Sequence, residues 1–269
     1  MRWGWLAICV VAGLALGASA SLGVYLERSS FANWGFADVY ITAFDYKSIV
    51  TQGLPVVIGL FVAAPLAELA TGGAFRSMWN RVDRRQYLIS SMVKAAVSGF
   101  VVAFSAMITI SLLVWAMTAW GSGFIFAVDA DHIEGYYSPQ IEAAAWDRLG
   151  GIPALFAQVS PGISLFVMSL WVGFSGAIFG LFAAVLALLV PWPRLAFLGP
   201  VIWFQFCLLA TGSMLSPIGW VSPHDALYPW NLSLLLIPGR VVGLAMYTAP
   251  LIVGIWFIFR RTERIASMQ

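Results

Sequence analysis

Charge is what this chain has least of. Asp, Glu, Lys and Arg together make up 10% of its 269 residues, there are two lysines and two histidines, and 61% of positions are hydrophobic. Ordinary soluble domains are about 25% charged, so a freely soluble chain is excluded, as are disordered and collagen-like ones. With two cysteines, Cys9 and Cys207, both inside apolar runs, there is no disulfide framework to read. With Lys47 and Lys94 alone, neither after a G-x-x-x-x-G, there is no phosphate-binding loop, so the chain cannot hydrolyse ATP by that route.

What is present is apolar length. A membrane-crossing helix needs about 20 apolar residues, and the sequence predicts an all-α polytopic membrane protein with six spans, at 4–25, 54–71, 92–120, 163–190, 195–213 and 241–259. Between them fall external loops at 26–53, 121–162 and 214–240, a basic segment at 72–91 and a tight turn at 191–194. Arg2, the run Trp5–Leu16 and Ala18-Ser19-Ala20 have the form of a cleavable signal. The apolar stretch continues to Leu26, however, and is read as an uncleaved first helix.

The few charges are sorted. Ten of fourteen basic residues (Arg2, Arg76, Arg81, Arg84, Arg85, Lys94, Arg194, Arg260, Arg261 and Arg264) fall on one side of this topology, and nine of twelve acids on the other. The excess of Lys and Arg marks the cytoplasmic side, so both termini and the 72–91 segment are expected there. The chain is one transmembrane domain, 1–269, without an internal repeat or low-complexity linker.

The basic segment carries a second signal. Phe75, Met78, Trp79 and Val82 recur at helical spacing, with Arg76, Asn80, Asp83 and Arg84 on other faces. Such a helix lies in the membrane interface, and Gly72-Gly73 ahead of it allows the change of direction. A basic loop that fixes topology accounts for the arginines alone; an amphipathic helix over about 74–90, placed to dock a soluble partner, accounts for the stripe as well.

The run Glu68, Gly72, Phe75-Arg76, Arg81, Arg84-Arg85, Tyr87-Leu88 and Lys94 resembles the loop between spans two and three of type-2 ATP-binding-cassette (ABC) exporter permeases. The small-residue fourth span and Leu215-Ser216-Pro217 after the fifth fit the same family. The resemblance implies that 74–90 is a coupling helix seated on a separate ATPase subunit, with Arg76, Trp79, Arg81, Asp83, Arg84 and Arg85 at the contact and Glu68 and Lys94 supporting it. It also implies two permease chains, the same or homologous, enclosing a path for an amphipathic or hydrophobic substrate such as a peptide, drug or lipid. ATP and Mg would sit on the partner, with no cofactor in this chain, and segment 214–240 would be a re-entrant or surface hairpin. Membrane lipids are expected partners and nucleic acid is not. The expected location is a bacterial cytoplasmic membrane.

Inside the membrane, Ser91, Ala95, Ser98, Ser105 and Thr109 share one face of the third span, and Gly173, Gly176, Gly180, Ala183 and Ala187 form a stripe on the fourth. Small faces let helices approach closely; the hydroxyls of Ser98, Ser105 and Thr109 are also candidates for a translocation path. Two other classes compete. A non-transporting sensor or immunity subunit would use the basic helix to recruit a cytoplasmic partner. An intramembrane serine protease would use Gly173-Phe174-Ser175-Gly176, but its serine needs a base, and His132 and His224 both lie in expected external loops. His132 with Asp129, Asp131 and Glu134 reads as a solvated acidic loop before a metal site.

Overall fold

A computed structural model of the chain describes residues 3–26, 36–45, 49–71, 84–119, 151–189, 193–212, 227 and 237–266. Eight α-helices run through them: α1 Trp3–Leu26, α2 Phe36–Asp45, α3 Ile49–Thr71, α4 Arg84–Ala119, α5 Gly151–Val159, α6 Pro161–Leu189, α7 Pro193–Gly212 and α8 Ile237–Ala266. The chain is a multi-pass helical membrane protein.

The expected six spans are corrected to four among the described residues. Among the described residues, only Gly4–Leu26, Arg85–Met117, Pro161–Leu189 and Val241–Arg260 are long and apolar enough to cross a bilayer. α3 and α7 contribute shorter apolar stretches, Val50–Phe61 and Leu198–Cys207. The physical reason is length: both stretches fall short of the about 20 apolar residues that a crossing needs. The expected coupling helix over about 74–90 falls largely outside the described residues. Residues 84–90 are the first turns of α4, and 72–83 lie outside the described residues.

Helix-to-helix contacts fix the directions. Trp5 of α1 meets Ser98 of α4, and Gly13 and Gly17 lie beside Ser105 and Thr109, so α1 and α4 run parallel. Gly180 of α6 faces Ala95 of α4, whereas Gly173 faces Phe100; α6 is therefore antiparallel to α4. Gly254 of α8 packs on Val185 and Leu189, and Tyr247 on Phe179 and Phe182, so α8 runs with α6. The start of α1, the start of α4 and the end of α8 consequently share one end of the bundle.

Local sequence explains the element ends. α5 and α6 are divided at Ser160-Pro161, where proline is tolerated as a first helical residue. The Ser160 amide still donates to the Phe156 carbonyl (2.9 Å), and its own carbonyl accepts from the amides of Ile163 (3.0 Å) and Ser164 (3.2 Å). α2 packs inward because Val39, Tyr40, Ala43 and Phe44 share a face; all four are fully buried. One core joins them to Val50, Leu54 and Ile58 of α3, to Val102–Val114 of α4 and to Met168–Phe179 of α6.

Candidate functional site

Among the described residues, the crossing of α4 with α6 brings two helix backbones into direct contact. A Cβ placed on Gly99 would lie 2.1 Å from the Gly176 carbonyl oxygen; one on Gly176, 2.4 Å from the Gly99 oxygen and 2.5 Å from the Ala103 Cβ; one on Gly180, 2.3 Å from the Ala95 oxygen. Two backbones therefore touch with no side chain between them, the arrangement that small residues permit in lipid, where close packing replaces the hydrophobic drive. The small-residue stripe on α6 serves two neighbours. Gly173, Gly176 and Gly180 face α4, whereas Ala183 and Ala187 form a cluster with Leu66 of α3.

An adjoining face of α4 carries the hydroxyls named as a translocation path. Ser98 is buried and accepts the Trp5 indole N–H (3.0 Å). Ser105 donates to the Val101 carbonyl (2.6 Å) with the Val102 carbonyl alongside (3.1 Å), and Thr109 donates to the Ser105 carbonyl (2.7 Å). Bonding back to the i−4 carbonyl lets a hydroxyl sit in an apolar helix without an external partner. Gly13 and Gly17 of α1 lie directly over Ser105 and Thr109. These three residues are thus brought together, and α1 covers them.

Of the expected partner contacts, Arg76, Trp79, Arg81 and Asp83 lie outside the described residues; Arg84 opens α4 and Glu68 lies in the last turn of α3, each described by its backbone only. Arg85 and Lys94 are exposed. Both stand at the shared end of the bundle, on the helix that makes the close crossings with α1 and α6.

Three buried polar features escaped the sequence. Tyr40 is fully buried with its hydroxyl beside those of Ser111 and Ser169 but without a hydrogen bond. Burial pushes its pKa up, and the two serine hydroxyls pull it partly back. Each serine spends its own proton on a carbonyl, Ser111 on Met107 (2.8 Å) and Ser169 on Leu165 (2.7 Å). The spacing of Phe36, Val39, Tyr40, Ala43 and Phe44 was the available signal, a helical stripe inside what reads as a loop.

The second feature couples α7 to α8 in both directions: the Tyr247 hydroxyl donates to the Pro200 carbonyl (3.2 Å), and the Trp203 indole N–H donates to the Tyr247 carbonyl (3.2 Å). Phe179, Phe182 and Phe204 enclose the tyrosine ring, with centroids 5.6–6.0 Å away. Proline inside each helix, Pro200 and Pro250, was a visible hint of altered backbone there; the pairing was not visible.

The third is Ser175, midway along α6. Its hydroxyl lies within reach of two carbonyls, that of Leu227 and that of Trp171 (3.3 Å). Leu227 is buried, so the chain between α7 and α8 reaches the middle of the bundle at this point. The serine of the Gly173-Phe174-Ser175-Gly176 run is thereby engaged with backbone carbonyls. His132, Asp129, Asp131, Glu134 and His224 lie outside the described residues. No known protein family matches the chain, and no curated protein or solved structure matches it either.

Proposed function

We propose that this chain is the membrane-embedded subunit of an ATP-driven exporter of the type-2 ABC class, working with a separate cytoplasmic ATPase and a second permease chain. The observation that carries the reading is where the basic run leads. Arg76–Lys94 feeds into α4, a helix of 36 residues and about 54 Å at about 1.5 Å per residue. A displacement at the start of α4 acts on the backbone crossing at Gly99, Gly176 and Gly180 and on the crossing at Gly13 and Gly17. Interfaces this close do not deform continuously, so α1, α4 and α6 move together.

The hydroxyl face of α4 is covered by α1, which favours a path between two chains over one through a single chain. The cargo in this reading is amphipathic or hydrophobic, as the resemblance to the family implies. In this scheme Arg76, Trp79, Arg81, Asp83, Arg84 and Arg85 meet the ATPase, and ATP with Mg stays on that subunit.

The test is co-purification and coupled activity. The chain expressed with candidate P-loop ATPases should retain one of them through detergent extraction, and the pair should hydrolyse ATP faster in proteoliposomes than the ATPase alone. Retention of no ATPase, with no change in hydrolysis, would instead favour the sensor or immunity reading.

A further inference from the structure

At the end of the bundle where α1 begins, Leu88 and Met92 of α4 join Leu251 and Ile258 of α8 in one cluster with Phe182 and Val185 of α6. Beside it, on α8, Trp256 and Phe257 are about half exposed, at 50% and 54%, and meet edge to face at 5.0 Å. The exposed Arg260 lies over the Trp256 ring, its Cζ 4.8 Å from the centroid. Arg260 has no ion pair among the described residues. Arg261 and Arg264 follow it against one acid, Glu263, and exposed Arg85 adds a further positive charge at the same end.

An arginine stacked on a ring presents its guanidinium face to the aromatic and keeps its N–H edge free, the edge that meets phosphate oxygens two at a time. Tryptophan at the boundary of an apolar span sits among lipid headgroups. α8 is also the least covered of the four candidate spans, 28% buried against 61% for α6, so its outer surface is offered to lipid. Charge, aromatic placement and exposure converge on one occupant.

We propose that the C-terminal end of α8 binds an anionic phospholipid, Arg260 holding the headgroup phosphate and Trp256 and Phe257 lying against the glycerol and upper acyl region. The assignment is independent of the transport reading. Each basic residue near a membrane surface is worth about 1 kcal/mol toward anionic lipid, or about five-fold in affinity.

Native mass spectrometry of the full chain, released from micelles holding equal phosphatidylglycerol and phosphatidylcholine, reads this directly. The wild type should carry phosphatidylglycerol preferentially. Arg260→Gln should lower that preference about five-fold, and Trp256→Leu, which keeps the charge and removes the ring, should lower it by a smaller factor. Equal binding of the two lipids by the wild type would overturn the proposal, as would an unchanged preference in either variant. Soluble glycerol phosphate should fail to displace the lipid at equal concentration; displacement would assign the site to free phosphate instead.

Discussion

Replacing Gly176 by alanine tests the packing at the centre of the bundle. In an exposed helix the change would be favourable by about 1 kcal/mol, because alanine is the better helix former. Here the new methyl carbon would sit 2.4 Å from the Gly99 carbonyl oxygen and 2.5 Å from the Ala103 Cβ, both rigid parts of the neighbouring helix. Ordinary contact begins near 3.4 Å, so α4 and α6 must separate by about 1 Å. Separation forces the overpacking cost of about 1–3 kcal/mol typical of a filled core. The net expectation is a loss of about 1–3 kcal/mol in reversible unfolding from mixed micelles, followed by tryptophan fluorescence. Gly99→Ala should cost a similar amount, and the double variant less than the sum, since the first methyl has already parted the helices. Gly4, with nothing within 4 Å of its notional Cβ, is the control, and Gly4→Ala should be neutral or slightly stabilising. A neutral or stabilising Gly176→Ala would refute the close crossing.

Other expectations follow from the buried polar groups. Tyr247→Phe removes the donor to the Pro200 carbonyl and should cost about 1 kcal/mol, the net worth of a typical hydrogen bond, in the same unfolding assay; Trp203→Phe loses ring packing on Phe206 as well as its donor and should cost more. Tyr40→Phe removes a buried hydroxyl that has no hydrogen bond, so it should be neutral or stabilising despite full burial. Because burial raises the folded pKa of Tyr40, the fold is unaffected by its titration below the unfolded value, about 10, and loses stability as pH rises beyond it. A tyrosinate absorbance titration should accordingly show late-titrating amplitude that Tyr40→Phe reduces. Cys9 and Cys207 are both buried, and a membrane-impermeant maleimide should label neither until the chain is unfolded.

The membrane class and the glycine stripe of α6 were legible because each rests on local composition: apolar length for the first, three- and four-residue spacing for the second. The stripe's division between α4 and α3 was not, since Gly180 and Ala183 differ in partner and hardly at all in sequence character. The span count differs at α3 and α7, whose apolar stretches among the described residues, Val50–Phe61 and Leu198–Cys207, are shorter than a crossing needs. α2 was missed because Asp38 and Asp45 make 26–53 read as a loop, although its inward face is wholly apolar save for the Tyr40 hydroxyl. The Trp203–Tyr247 pairing and the reach of Ser175 to Leu227 join residues 44 and 52 positions apart, and no periodicity encodes such contacts. Of the candidate coupling residues, Arg85 and Lys94 are exposed, a property that their charge alone suggests.

The transport assignment is tested most directly by charge reversal at Arg84 and Arg85 in proteoliposomes containing the chain and its co-purified ATPase. ATP hydrolysis and substrate efflux should both fall by at least ten-fold in the double Glu variant, about 1.4 kcal/mol of lost coupling, while the chain itself remains folded and inserted. Unchanged hydrolysis and efflux would contradict the account.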